Sequence, residues 1–365
     1  MNLFSKEDVN VGRQTAIDAA KMVTILFMVL VHTFIYVFGE EELVVGFRYV
    51  LNVVLAGPFG APVFMTCMGV GLAYSRRNDP HTMASRGVRL FTVAYILNLL
   101  RSLPYALLAW TGQGSEYADD ALIELLGIDI FQFAGLTFLA MALFRKWNVK
   151  VPIIVLISIV LSIIGSFVRF IDTGSFVLNL FLSLFVGVHA GHIISYFPFC
   201  NWFIFVALGY AFGLLLRRCT DVKKFYSIVT PIAAAIFISY MVYAIPRRTG
   251  IFSEGIFSNN DQYFFYLTTS GVFFCLMATF TLFGIAHFLM SAFSPTIQKD
   301  VASLANELNR IYLIHWIIVI WIVSVLLVEI LNLHFTDLTT ILMALLILCI
   351  SAWLARHKPF NKIKL

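Results

Sequence analysis

Ten long apolar runs divide the chain, at 18–38, 50–75, 87–110, 121–144, 151–170, 197–216, 225–245, 265–290, 308–331 and 337–355, with the charged residues gathered mostly between them. Each run is close to the roughly 20 residues that a helix needs to cross the hydrocarbon of a bilayer. None alternates with a period of two, so a membrane β-barrel is excluded. The pattern predicts an all-α, polytopic membrane protein of about ten transmembrane helices, with 1–365 forming a single domain without internal repeats. An eleventh run, 176–189, is shorter and leads into Gly187, His189, Gly191 and His192.

The placement of cations decides how that eleventh run is read. With ten spans and a cytoplasmic N-terminus, twenty of the 25 Lys and Arg residues fall on the cytoplasmic side. Only Arg48, Arg169, Arg247 and Arg248 fall outside, and Arg101 lies within the membrane. If 176–189 crossed, the count would become twelve against twelve. The positive-inside rule therefore predicts both termini in the cytoplasm and a re-entrant or interfacial element near 176–196 on the outer side. The outer loops are acidic, with Glu40, Glu41 and Glu42 in one and Glu116, Asp119 and Asp120 in the next.

Composition agrees. Hydrophobic residues make up 60% of the 365 and charged ones 12%, about half the roughly 25% charge of a soluble domain. Soluble, disordered and fibrous classes are excluded. The net charge of +5 follows from membrane orientation rather than from a nucleic-acid partner. Cys67, Cys200, Cys219, Cys275 and Cys349 have no paired spacing and read as small core residues, with no disulfide frame and no metal site. The first residues do not read as a cleavable signal peptide, and a compact chain of this kind suggests a prokaryotic plasma (inner) membrane.

Ionisable groups inside apolar spans are costly and carry the functional signal. The first span begins Arg13-Gln-Thr-Ala-Ile-Asp18-Ala-Ala-Lys21 and continues to His32. Eleven residues separate Lys21 from His32, about three turns and roughly 16 Å along one helix face, with Asp18 on the same stripe. Lys21 is expected at the cytoplasmic edge and His32 near mid-membrane; a satisfied core histidine beside an interfacial ion pair is the plainer alternative. The small and kinking residues Gly57, Pro58, Gly60, Pro62, Gly69 and Gly71 predict close helix packing in the second span. Arg86 and Arg89, one turn apart at the start of the third span, could cradle an anion or simply anchor the helix. Arg101, about 18 Å further in, needs a partner, and Asp129 or Glu124 lies at similar depth. His189, His192, Tyr196 and Trp202 form either an aromatic belt or a wall facing a substrate. His315 reads as a core histidine near the inner third of its span.

Taken in order, these stretches resemble the transmembrane acyltransferase superfamily, which includes the acyltransferase-3 proteins and the heparan-α-glucosaminide N-acetyltransferase-like proteins. Arg13…Asp18…Lys21…His32 is similar to that family's basic residue, ten-residue gap and histidine. Pro62-Val63-Phe64 with Gly69-Val70-Gly71, Arg86-Gly-Val-Arg89, the run from Ile128 and Asp129 to Gly135, Tyr196 to Trp202, and Ile311-Tyr-Leu-Ile-His315 resemble later motifs. Ala20-Lys21-Met22 stands where the family often has Leu-Arg-Gly, which keeps the charge but loses the fork of an arginine.

The resemblance implies an acyltransferase with no tightly bound cofactor. Acetyl-CoA or another acyl-CoA would be a co-substrate held on the cytoplasmic side by Lys21, Arg86 and Arg89. The acceptor would be a sugar hydroxyl or amine on a glycolipid or polysaccharide at the outer face, near Arg101, Asp129, His189, His192 and Trp202. His32 would be the general base or a transient acyl carrier, assisted by Asp18 and Lys21. The partners expected are the lipid bilayer, acyl-CoA and the carbohydrate acceptor, without nucleic acid and with oligomers open. The rival reading is a multi-span transporter or flippase without chemistry, in which Arg101, Asp129 and His32 line a polar path. The sequence has no paired halves of the kind transporters tend to show.

Overall fold

A computed structural model describes residues 3–253 and 266–357; Lys358, Lys362 and Lys364 of the charge count lie outside them. The helices are α1 (Thr15–Phe38), α2 (Gly46–Tyr74), α3 (Pro80–Trp110), α4 (Glu116–Leu126), α5 (Ile130–Lys146), α6 (Val151–Phe167) and α7 (Phe176–Leu182). After a short hairpin, β1 (His189–Ala190) and β2 (Ile193–Ile194), come α8 (Phe199–Arg217), α9 (Val222–Ala244), α10 (Thr269–Ala292), α11 (Pro295–Ala305), α12 (Leu308–Ile330) and α13 (Asp337–Arg356). The protein is an all-α polytopic membrane protein. Among the described residues eight helices are long and apolar enough to cross a bilayer, against ten predicted.

The two differences have local causes. α6 has 17 residues, at the short limit of the roughly 17–25 that cross a bilayer, and so falls outside the eight long helices. The fourth apolar run is not one helix: it breaks at 127–129 into α4 and α5. Asp129 caps α5, its Oδ1 accepting from the Ile130 N–H at 2.7 Å while its own N–H donates to Gln132 Oε1 at 3.1 Å. This reciprocal cap starts a new helix in mid-run. Irregular backbone at depth needs partners for its polar groups. Here Asn98 Nδ2 of α3 donates to the carbonyls of Leu125 (3.1 Å) and Gly127 (2.8 Å), and the Ile128 N–H donates to the Ile194 carbonyl at 2.9 Å.

Between α6 and α8 no described helix is long and apolar enough to cross a bilayer, in keeping with the re-entrant or interfacial element expected there. α7 is only seven residues long, and β1 and β2 double back through Gly191 at φ +57°. Ile171 N–H bonds the Gly187 carbonyl (3.1 Å) and Phe199 N–H bonds the Leu184 carbonyl (3.0 Å), so α6 ends and α8 begins on one side.

The loops sort to two ends of the bundle. At the end where α1 begins and α13 finishes, Ser5 N–H bonds the Arg218 carbonyl and Arg13 Nη2 bonds the Ala302 carbonyl. At the opposite end, Arg48 pairs with Asp337 (2.6 Å), Tyr117 Oη donates to Glu329 (2.7 Å) and His192 meets Asp119 (2.8 Å). Between them α2 and α8 pack backbone to backbone. A Cβ on Gly69 would lie 2.2 Å from the Val206 carbonyl oxygen, and one on Gly209 2.3 Å from that of Thr66. Small residues are what allow so close an approach. Gly71 is different: a Cβ there would meet nothing, because it borders a cavity.

Candidate active site

Two cavities lie along the inner face of α1. The lower, about 560 Å³, sits toward the end where α1 begins and is lined by Arg13, Asp18, Lys21, Gly71, Arg86 and Asn306, among others. The upper, about 150 Å³, is lined by His32, Tyr36, Glu40, Asn52, Arg101, Asp129, Tyr196, Tyr312 and Trp316, with apolar walls from α1 and α2. Phe64 of α2 borders both.

Cations dominate the lower cavity. Asp18 is buried and ion-paired with Arg13 (2.6 Å) and more loosely with Lys21 (3.7 Å). Arg13 is tied in turn to the Ala302 carbonyl (2.7 Å) and Asn306 Oδ1 (3.0 Å) on the α11 side. Arg86 has no hydrogen bond or ion pair among the described residues; its guanidinium rests over the Phe138 ring at 4.8 Å. Two of three cations are thus held by one carboxylate, and the third is uncommitted. Such a site suits a ligand with several negative charges.

The upper cavity is built on histidine and arginine. His32 Nδ1 lies 2.8 Å from His315 Nε2, and His315 Nδ1 lies 3.2 Å from the Ile311 carbonyl oxygen. A carbonyl can only accept, so His315 carries its proton on Nδ1 and its Nε2 accepts from His32 Nδ1–H. In this neutral arrangement His32 Nε2 holds a lone pair and is the ring nitrogen left for chemistry. The imidazole of His32 also stacks on Trp316, centroids 4.0 Å apart, which fixes the plane of the ring.

Arg101 lies over the same Trp316 ring at 3.8 Å and pairs with Glu124 (2.5 Å) and Asp129 (2.8 Å). Tyr312 Oη donates to Asp129 Oδ2 at 2.7 Å, and Tyr36 Oη to Glu124 Oε1. The two oxygens of Asp129 therefore have separate tasks, one capping α5 and the other holding Arg101 and Tyr312. A buried guanidinium needs this degree of pairing. At the opposite-end rim stand Glu40, whose carboxyl burial pushes up to about 7, and Tyr196, whose hydroxyl burial holds well above its ordinary range.

The structure divides the residues picked out from sequence. Lys21, Asp18 and Arg86 meet at the lower cavity; His32, Arg101 and Asp129 meet at the upper. Asp18 and Lys21 thus do not join His32, being three turns or more below it on α1. Arg89 is exposed and lines neither cavity, because it lies off the Arg86–Leu90 stripe that faces inward. His189 and His192 are carried on the hairpin away from the cavity, with His192 paired to Asp119. Trp202 is fully buried and packs on Phe197 and Phe205 at 5.0 and 5.4 Å; Tyr196 and Phe197 border the cavity instead. Tyr36 and Glu40 were not singled out for chemistry, although they follow His32 at steps of four residues. His315 is the residue read from sequence as a core histidine, and Trp316 carried no sequence signal of its own.

A family model described as an acyltransferase domain, the acyltransferase-3 model, matches residues 14–356. No curated protein and no solved structure matches the chain.

Proposed function

Because the chain belongs to the acyltransferase-3 family and is a multi-pass membrane acyltransferase, we propose that it moves an acetyl or similar acyl group from acyl-CoA to a sugar hydroxyl or amine. In this reading the end where α1 begins and α13 finishes faces the cytoplasm of a cell with this protein in its plasma membrane. The donor's phosphates bind in the lower cavity at Lys21, Arg86 and Arg13, and its thin thioester arm runs past Phe64. The larger lower chamber suits the bulky nucleotide, and of the donor only the reacting end would reach the narrow upper one. The acceptor enters the upper cavity from the opposite face.

The chemistry follows from the free nitrogen of His32. The acceptor oxygen or nitrogen attacks the thioester carbonyl while His32 Nε2 takes its proton. The tetrahedral intermediate then expels the CoA thiolate, which receives that proton from the imidazolium, so that thiol and acylated acceptor leave. His315 holds the imidazole in the tautomer this needs. An acyl-imidazole on His32 is the variant with the same atoms in two steps. The observation that carries the reading is the hydrogen-bonded series from the Ile311 carbonyl through His315 to His32.

The test is transfer of radiolabelled acetyl from acetyl-CoA to a lipid and polysaccharide extract by purified protein. His32→Ala should lose transfer by a factor of about 10² or more, while acetyl-CoA still raises the melting temperature. Transfer at the normal rate would end this role for His32. A transporter would be stabilised by its cargo and not by acetyl-CoA.

A further inference from the structure

At the rim of the upper cavity two hydrogen-bond acceptors stand without donors. The Glu40 carboxylate has no hydrogen bond or ion pair among the described residues. Asn52, 1% exposed, gives its Nδ2 to the Arg48 carbonyl at 2.9 Å, and its Oδ1 is buried with no partner. Both residues line the cavity that holds His32, together with Tyr196 and Phe197. A buried amide oxygen without a donor is rare and costs free energy unless a ligand supplies one. The placement is also deliberate in the chain: Glu40 follows the α1 terminus, just past Gly39 at φ +78°, two steps of four residues beyond His32.

We propose that Glu40 and Asn52 Oδ1 form an acceptor subsite, which takes a compound presenting two neighbouring hydrogen-bond donors, such as adjacent ring hydroxyls, with a face that lies on Tyr196 and Phe197. With Glu40 ionised the pair only accepts, so it selects for donors and against anions such as phosphorylated or carboxylated groups. A site built to bind hydroxyls discriminates strongly against an analogue lacking them, because its own polar atoms are then stranded. This deepens the acyltransferase reading and rests on it: the subsite would hold the acceptor ring while His32 works on one of its hydroxyls or amines.

The experiment is the acetyl-transfer assay with the same membrane extract as acceptor, comparing wild type with Glu40→Leu, Glu40→Gln and Asn52→Ala. Glu40→Leu and Asn52→Ala should raise the half-saturating extract concentration about tenfold, the equivalent of one hydrogen bond to a buried acceptor. Half-saturation by acetyl-CoA should stay within about twofold. Glu40→Gln, which keeps the shape, should give a smaller rise. Should Glu40→Leu fail to fold, judged by loss of stabilisation by acetyl-CoA, the Gln variant decides. Saturation by extract at the wild-type concentration in the folded variants would overturn the subsite. Absence of transfer in wild type would instead overturn the acyltransferase reading beneath it.

Discussion

His32 and His315 face each other across two helices, 283 residues apart in sequence, with 2.8 Å between Nδ1 and Nε2. Because Ile311 fixes the proton on His315, removing His315 releases the tautomer of His32 without touching the base itself. His315→Ala is expected to lower kcat by about 10- to 100-fold with the KM for acetyl-CoA nearly unchanged. Gln, whose amide oxygen can accept from His32 Nδ1–H, should restore part of the loss. Steady-state kinetics on the two variants check this, and equal rates for Ala and Gln would separate His315 from the tautomer.

Arg101 is held by two carboxylates and stacked on Trp316. Replacing it with Gln leaves the buried carboxylates of Glu124 and Asp129 without their cation, and Asp129 also caps α5. The expected cost is about 3–5 kcal/mol, the usual range for breaking a buried ion pair from one side. Thermal unfolding in detergent should show the loss as a lowered Tm, whether or not donor is present.

The two arginines of the third span should behave differently. Arg86 borders the lower cavity without an ion partner, whereas Arg89 is exposed beside it. Arg86→Gln is expected to raise the KM for acetyl-CoA about tenfold, the worth of one charge-assisted contact to phosphate, with little effect on the Tm of the free protein. Arg89→Gln should stay within about twofold on both measures. Reversal of that order would move the donor site off the inner stripe.

Glu40 gives the pH dependence. Burial raises its carboxyl from 4.5 to about 7, so the folded protein binds this proton more tightly than the unfolded chain does. The stabilisation is fully present below pH 4.5 and is lost as pH rises through about 7. The Tm of wild type should therefore fall between about pH 5 and about pH 8 relative to Glu40→Gln, which carries no titrating group there. Parallel Tm curves for the two proteins would contradict the burial of this carboxyl.

Local geometry was legible in the sequence, and what depends on distant pairing was not. The alignment of Lys21 with His32 follows from the pitch of a single helix, and each residue does border its cavity. The partners of Arg101 followed from depth alone: Glu124 and Asp129 are both there. The break at 127–129 was hidden by a run that stays apolar across it, although Asp129 followed by Gln132 is a recognisable cap. His315 looked like a core histidine because its partner comes from the other end of the chain. Trp202 read as part of either an aromatic belt or a substrate-facing wall, because aromatic residues at a helix entrance look alike until packing turns one inward. Glu40 passed as one more loop acid, since nothing in Glu40-Glu-Glu42 says which of the three faces inward.

Phe64 borders both cavities, and that shared wall has an electrical consequence. A catalyst that works from both faces of an energised bilayer risks becoming a leak for protons and ions. In the proposed reading, an aromatic ring on the wall shared by the two chambers would keep the barrier insulating while the slender acyl arm of the donor passes beside it. On that reading the membrane potential could coexist with the trans-bilayer chemistry proposed above.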